Sequence, residues 1–397
     1  MHPADEIQGS KSNKLSKKRI VLGVTGSIAA VETIKLSREL IRHGAEVIPV
    51  MSPSAKKIIH PDSLWFATGK KPIVELSGAT EHVTYCGLVK NPADLLLISP
   101  CTANTISKIA HGIDDTSVTT FASTAIGSKI PILIVPAMHL SMYDHKIIQE
   151  NIEKCKKVGI KFIDPTIAKT KAKLADTEKI ISFVIRETGK QDLSKKKILI
   201  IGGPTAESVD DVRIITNRSS GKTAIWLAKN AFFRGADVEL WYGVGKENPP
   251  DFIKIINFES NNDLLKLLKT KKLNGFDGII LCAAISDYIP KKRKGKILSG
   301  KEKLIIEMTP APKIIPNLRN KAKQATIIGF KVEESKTKIK EKALDLLKKN
   351  NLDFVIANTI SGFSKDKNEI WIVDKKGKCS NKKGNKKILA DNILDII

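Results

Sequence analysis

One pattern governs what this chain can fold into. Short apolar, β-branched runs end in glycine or small polar residues, and each gives way to a helical apolar repeat. Parallel strands need long connections, so strand–helix–strand alternation specifies parallel sheets with crossover helices. The spacing predicts strands over 19–24, 45–51, 95–99 and 130–135, with a helix over 27–43 that Gly44 ends and another over 177–188. After a short polar stretch the pattern resumes, with strands over 197–201, 236–241, 277–283, 326–330 and 353–357 and helices over 222–234, 261–270 and 335–350. At 397 residues the chain exceeds what one core ordinarily serves, so two domains are expected. The fold class is α/β: two Rossmann-like three-layer α/β/α domains with mainly parallel sheets. The expected division is a disordered basic lead-in over 1–18, a first domain over 19–189, a linker over 190–196 and a second domain over 197–397.

Composition narrows the classes of function. Hydrophobic residues make up 42% and charged residues 27%, the balance of a globular protein. No apolar run approaches the roughly 18 residues that a membrane helix requires, so no membrane partner is expected. The N-terminal segment has no apolar stretch and does not read as a secretory signal. Net charge is +25, yet the lysines are spread along the chain and aromatic residues are only 5%. With no RNA- or DNA-binding motif present, a solvated basic surface explains the charge better than nucleic-acid binding. Basic clusters at 291–294 and 375–387 fall in expected loops. The five cysteines, Cys86, Cys101, Cys155, Cys282 and Cys379, show no metal-ligand spacing, and their odd count points to a reducing, cytoplasmic setting.

The segment 202–222 carries the strongest functional signal. It joins a buried strand to a helix and holds a Gly202-Gly203 pair, an Arg213-x-x-x-Asn217 pair and a Ser219-Ser220-Gly221-Lys222 run. Small residues allow close backbone approach, while hydroxyls and N–H groups at a helix start hold anions. Packing alone gives no reason for so polar a segment between two core elements; an anionic substrate does.

In the first half, Gly23-Val24-Thr25-Gly26-Ser27-Ile28-Ala29-Ala30 is a strand–turn–helix unit lacking the full dinucleotide fingerprint, which suits a mononucleotide. Ser99-Pro100-Cys101-Thr102-Ala103-Asn104-Thr105 and Pro136-Ala137-Met138-His139-Leu140-Ser141-Met142-Tyr143 each follow a strand. Together these resemble the FMN-dependent cysteine decarboxylases, homo-oligomeric Rossmann-like flavoproteins. The resemblance implies FMN held by Gly26, Ser27, Ser99, Thr102, Asn104 and Thr105, with Asn104, Met138 and His139 on the substrate. It also implies His82 as the catalytic His, although an isolated His is ordinarily a surface or capping residue. Two departures stand out. The family's Asn is His139 here, and the stretch 166–176 lacks the family's flap Cys, leaving Lys171 and Lys173 as the nearby proton carriers.

In the second half, Ala283-Ala284-Ile285-Ser286-Asp287, Lys296 in a basic loop, Pro310-Ala311-Pro312-Lys313-Ile314-Ile315 and Gly329-Phe330-Lys331-Val332-Glu333 join the 202–222 segment. This set resembles the CTP-using phosphopantothenate–cysteine ligases over nearly all of 197–397. Amide synthesis needs an activated carboxylate, and phosphoryl chemistry needs positioning and charge neutralisation. The resemblance implies that 4′-phosphopantothenate attacks CTP, with Mg²⁺, to give an acyl-cytidylate and pyrophosphate, and that L-cysteine then displaces CMP. Asn217 would hold the acyl-cytidylate carbonyl and Arg213 would orient the substrate. Ser219, Ser220 and Gly221 would take its phosphate, beside Ala283. Lys296 would neutralise the triphosphate, Asp287 and Phe330 would meet the cytidine, and Pro312, Lys313, Ile314 and Ile315 would offer backbone N–H groups. Lys296 in a lysine-rich loop could equally be solvated, and Phe330 could be core. A lysine helix pattern of that family registers poorly near 346–350 and assigns no residue.

The two halves match consecutive steps of coenzyme A biosynthesis, as in the fused bifunctional enzyme: ligation, then decarboxylation in which flavin oxidation of the cysteine portion to a thioaldehyde eases loss of CO₂. By the same resemblance the flavin half would form trimers and the ligase half dimers, which would build a closed homo-oligomer such as a dodecamer. An alternative keeps only the ligase active, with a flavin half impaired by the two departures. A third reading, a basic nucleic-acid protein on a generic core, is disfavoured by the motifs.

Overall fold

Leu95–Cys101 has no polar face: every residue in it is buried. A strand covered on both sides belongs at the centre of a parallel sheet packed between helices, and the computed structural model places it there. The structure describes residues 2–168, 170–300, 302–360 and 367–397. Its contacts divide into two units, 1–190 and 191–397.

The first unit carries a five-stranded sheet in the order Glu46–Met51, Arg19–Val24, Leu95–Cys101, Ile132–Pro136, Lys161–Phe162. All neighbours are parallel. Read by chain order this is the 2-1-3-4-5 arrangement of flavodoxin-like sheets, whose order reverses between the first and third strands. The helix expected over 27–43 divides into a 3₁₀ turn, Ile28–Glu32, and an α-helix, Thr33–Arg42. The Thr33 hydroxyl donates to the Ala30 carbonyl at 2.5 Å at the junction, and a hydroxyl bonded back into its own turn competes with the helical ladder. The segment expected as a disordered lead-in is folded. Leu15 is fully buried, and the N–H groups of Gly9, Lys11 and Leu15 donate to the carbonyls of Ile41, Arg42 and His43. The lead-in therefore caps the last turn of Thr33–Arg42, whose carbonyls would otherwise lack partners. Met138–His139, Lys171–Lys173 and Thr166–Ala168 form a separate antiparallel sheet over the stretch read as a flap.

The second unit carries an eight-stranded sheet in the order Lys254–Asn257, Asp237–Tyr242, Lys197–Gly202, Gly278–Leu281, Thr326–Glu333, Phe354–Thr359, Lys367–Asp374, Cys379–Asn385. The first six are parallel and form the 3-2-1-4-5-6 Rossmann order. The last two run antiparallel. The basic cluster expected in a loop at 375–387 thus holds a strand and the start of the helix Lys386–Leu394. Lysines on an edge strand keep it from pairing with other chains, which is why its composition reads as a loop. The linker is also less free than expected. Leu193 is buried and donates its N–H to the Arg234 carbonyl at 3.0 Å.

Candidate active sites

Open α/β sheets bind ligands outside the strand ends where the chain order reverses, and each unit has a cavity there. In the first unit, Thr25 ties the two diverging strand ends. Its hydroxyl donates to the Pro100 carbonyl at 2.8 Å and accepts the Thr102 N–H at 3.1 Å. The adjoining cavity, about 460 Å³, is lined by Gly26, Ser27, Thr102, Asn104, Thr105 and Met138 among others. Gly26 is required: a Cβ there would lie 2.4 Å from the Ser54 Cβ. Ser27 opens the 3₁₀ turn, accepting from the Ala29 N–H and donating to the Ala137 carbonyl at 3.2 Å. Thr102 caps Ala103–Ala110 by accepting the Thr105 N–H at 3.3 Å. Small residues, hydroxyls and helix starts fit a phosphate joined to a flat ring, as in FMN.

Sequence reading missed Ser52, Ser54, Lys108 and Thr116 in this lining. Lys108 is its only charged side chain among the described residues, held by Asp115 at 2.6 Å. A signal existed in Ser52-Pro53-Ser54, small polar residues closing a strand. Three expected residues lie elsewhere. His82 sits in the helix Glu81–Cys86, off the cavity, and its Nδ1 is buried without a partner. Ser99 is fully buried in its strand, its hydroxyl has no hydrogen-bond partner, and it does not line the cavity. His139 is exposed next to Met138 and pairs across the flap with Lys171.

In the second unit a cavity of about 160 Å³ gathers Ser219, Ser220, Gly221, Ala283 and Phe330. Gly221 (φ +81°) begins Lys222–Phe233, and a Cβ on it would overlap the Tyr242 hydroxyl. That hydroxyl lies 3.2 Å and 3.0 Å from the carbonyls of Ser220 and Glu247, and burial pushes its pKa to about 12, so it stays a neutral donor. The same lining includes Cys282, whose thiol burial pushes up to about 12, together with Asn358, Asn368 and Lys386, which sequence reading missed. Lys386 was hidden because the cluster that carries it reads as loop, and the strand that carries Asn368, Lys367–Asp374, was given no element.

The remaining expected residues stand outside this cavity. Asn217 reaches its wall, donating through Nδ2 to the Ala284 carbonyl at 3.0 Å. Arg213 is held by Asp210 at 2.5 Å, so its guanidinium already has a carboxylate partner. Asp287 and Lys313 pair with each other at 2.7 Å, both exposed. Lys296 is exposed in its loop. Ile314 is turned into the hydrophobic core and Ile315 packs against it, while the Pro312 carbonyl accepts from Asn261 Nδ2 at 3.3 Å. No group of three or more metal-ligating side chains occurs among the described residues. Nor is any described helix long and apolar enough to cross a membrane.

Two doubly wound units, each with a cavity at its switch point, define a two-domain α/β protein of the kind that binds nucleotides. Residues 8–189 match the Flavoprotein family, and residues 193–397 match the DNA/pantothenate metabolism flavoprotein C-terminal domain. The chain is 43% identical to the coenzyme A biosynthesis bifunctional protein CoaBC of Thermococcus kodakarensis, covering 100% of this chain and 99% of that protein. It is 40% identical to the CoaBC of Methanocaldococcus jannaschii, covering 100% and 97%. A crystal structure of the C-terminal domain of a CoaBC protein is 30% identical, covering 52% of this chain and 95% of that one, with a TM-score of 0.44. The chain belongs to the CoaBC family of bifunctional coenzyme A biosynthesis proteins. It is an enzyme with a flavoprotein decarboxylase part and a ligase part. The reading with an impaired flavin half is not favoured, since the similarity runs through that half without a break.

Proposed function

We propose that the second unit joins 4′-phosphopantothenate to L-cysteine at the expense of CTP, and that the first unit decarboxylates the product to 4′-phosphopantetheine with FMN. The observation that carries this is that part of each motif set, Gly26, Ser27, Thr102, Asn104 and Thr105 in the first unit and Ser219, Ser220, Gly221, Ala283 and Phe330 in the second, lines the cavity at its own switch point.

In the second unit the substrate carboxylate attacks the α-phosphate of CTP and pyrophosphate leaves; the cysteine amine then displaces CMP. Ser219, Ser220 and the positive end of Lys222–Phe233 offer an anion site. Asn217, anchored on Ala284, presents its amide at the cavity wall for the acyl carbonyl. Lys296 offsets the triphosphate charge. Mg²⁺ would arrive with the nucleotide, a metal that is usually held by substrate phosphates and few carboxylates.

In the first unit bound FMN would supply the two-electron oxidation and return reduction that ease CO₂ loss. The Ser27 turn would hold its phosphate, and Thr102, Asn104 and Thr105 its ring. His139 and Lys171 are opposite each other on the flap; His139 would meet the substrate carboxylate and Lys171 would carry a proton. His82 lies off the cavity of its own chain, on a helix with Val83 exposed and Leu88 (87% exposed) just beyond it. That surface supports trimeric assembly of the flavin unit, in which His82 would serve a neighbouring copy.

One incubation tests the whole reading. Phosphopantothenate, cysteine, CTP and Mg²⁺ are added to the full chain loaded with FMN, and pyrophosphate and CO₂ are followed separately. Both should appear, CO₂ after a lag. Pyrophosphate without CO₂ would remove the decarboxylase assignment, and neither product would remove both.

A further inference from the structure

The turn Val209 to Arg213 and the basic loop Lys291 to Ile297 are far apart in sequence and closely joined in space. Asp210, 2% exposed, has all its acceptor capacity occupied. Its Oδ1 accepts the N–H groups of Val212 at 2.8 Å and Arg213 at 2.6 Å. Its Oδ2 accepts the Ile297 N–H at 2.9 Å and the Arg213 guanidinium at 2.5 Å. Asp211 holds the loop a second time, accepting the Gly295 N–H at 2.8 Å and pairing with Lys292 at 3.0 Å. The Arg293 N–H donates to the Val209 carbonyl at 2.9 Å.

The loop needs such a hold. Lys291, Lys292, Arg293, Lys294 and Lys296 are crowded into six consecutive positions, and like charges that close repel one another. Lys292 is neutralised by Asp211, whereas Lys296 makes no ion pair with a described residue. A loop fixed at Gly295 and Ile297 presents the side chain between them, and that side chain is Lys296. The Asp210 carboxylate that holds Ile297 also takes up Arg213. The Ile297 N–H, ahead of the other donors, keeps the Asp210 carboxyl well below the usual carboxylate range, so it is charged wherever the enzyme works.

We propose that Asp210 is a positioning residue of the ligase site: it docks the basic loop onto the segment preceding Asn217 and so delivers Lys296 to the polyphosphate of the nucleoside triphosphate. The proposal rests on the reading of Lys296 given above. It adds a residue that touches no substrate and acts through the loop.

The test is a double-mutant cycle on the full-length, FMN-loaded protein, read as kcat and KM for CTP from pyrophosphate release. Asp210→Asn is nearly isosteric but sets an N–H₂ group against the Ile297 and Arg213 donors. Lys296→Ala should lower kcat/KM for CTP about tenfold or more, and Asp210→Asn should reproduce most of that loss. Because contacting or network residues fail to add, Asp210→Asn placed on Lys296→Ala should change kcat/KM less than about twofold. Trypsin should also cut the 291–296 loop several-fold faster in Asp210→Asn than in the parent. Losses that multiply, or an unchanged cutting rate, would make Asp210 a fold residue only and overturn the proposal. If Lys296→Ala leaves ligation unchanged, the reading of Lys296 fails and the delivery role falls with it; the tryptic rates then report separately whether Asp210 docks the loop. Should Asp210→Asn not fold by circular dichroism, the more exposed Asp211→Asn releases the loop from its second anchor. It should shift both readouts in the same direction by a smaller factor, and no shift would overturn the proposal.

Discussion

At the scale of single residues, close approach and hydrogen-bond capacity decide most of the site. Gly26 has no room for a methyl group, since the Ser54 Cβ would be 2.4 Å away. Overpacking of this kind costs about 1–3 kcal/mol. Gly26→Ala should therefore weaken FMN retention about ten- to hundredfold, seen as loss of the flavin absorbance after gel filtration; a fully yellow variant would remove Gly26 from the cofactor site. Asn217 is the corresponding position in the ligase. Its amide already donates to the Ala284 carbonyl, so it is held in place before substrate arrives. Asn217→Ala should slow amide formation by about 10²-fold, the usual cost of losing one donor to a reacting carbonyl, while pyrophosphate release continues. Equal slowing of both products would assign Asn217 to activation instead. Residues named by motif were legible where a motif dictates backbone shape, as at Gly26, Ser27 and Gly221. They were not legible where a side chain's partner lies far away in sequence: nothing near Arg213 shows that Asp210 also holds Ile297.

At the scale of elements, strands with two buried faces announced themselves and the polar edge strand Cys379–Asn385 did not. Arg19–Val24 and Thr177–Thr188 begin and end where periodicity places them. Cys379–Asn385, read as loop, is a strand because Lys367–Asp374 supplies its hydrogen-bond partners, a tertiary cause that overrides local composition. The buried elements also carry Cys86, Cys101 and Cys155, and Cys282 follows the end of a buried strand. Burial pushes the thiols of Cys86 and Cys282 up to about 12 and that of Cys155 to about 11, and Cys101 is raised by burial too. The thiolate is the reactive form, so iodoacetamide at pH 8 should leave Cys86, Cys101, Cys155 and Cys282 unmodified in the folded protein and label them after denaturation. Mass-spectrometric detection of native labelling would refute this. The sign of the stability effect follows. These groups bind their protons more tightly folded than unfolded, so their contribution is complete below the ordinary value of 9.0 and is lost as pH rises towards 11–12. The urea midpoint should fall with pH above about 9, and Cys155→Ser or Cys155→Ala should flatten that slope.

At the scale of the whole molecule, two switch points give two chemistries on one chain, and each unit keeps its own core. Leu22, Leu96 and Phe121 are fully buried in the first; Leu199, Trp241 and Ile327 are fully buried in the second. The junction is narrow. Gly189 and Lys190 are exposed, whereas three residues later Leu193 is already buried. Arg234 then locks the start of the second unit by pairing with Asp192 at 2.7 Å and Asp395 at 2.8 Å. Lys190 is an exposed tryptic site in that linker, and cleavage concentrates where backbone is exposed and few contacts cross. Brief trypsin treatment should cut after Lys190, and both fragments should survive. The fragment ending at Lys190 should keep the flavin absorbance, and the fragment beginning at Gln191 should keep CTP-dependent pyrophosphate release. Heating should give two transitions, with flavin release following only the one that belongs to the first unit. A single transition, or loss of pyrophosphate release on cleavage with both fragments still folded, would mean that the ligase site needs the flavin unit. Arg234→Ala offers the matching control: by freeing both Asp192 and Asp395 it should lower the second transition and leave the flavin transition where it was.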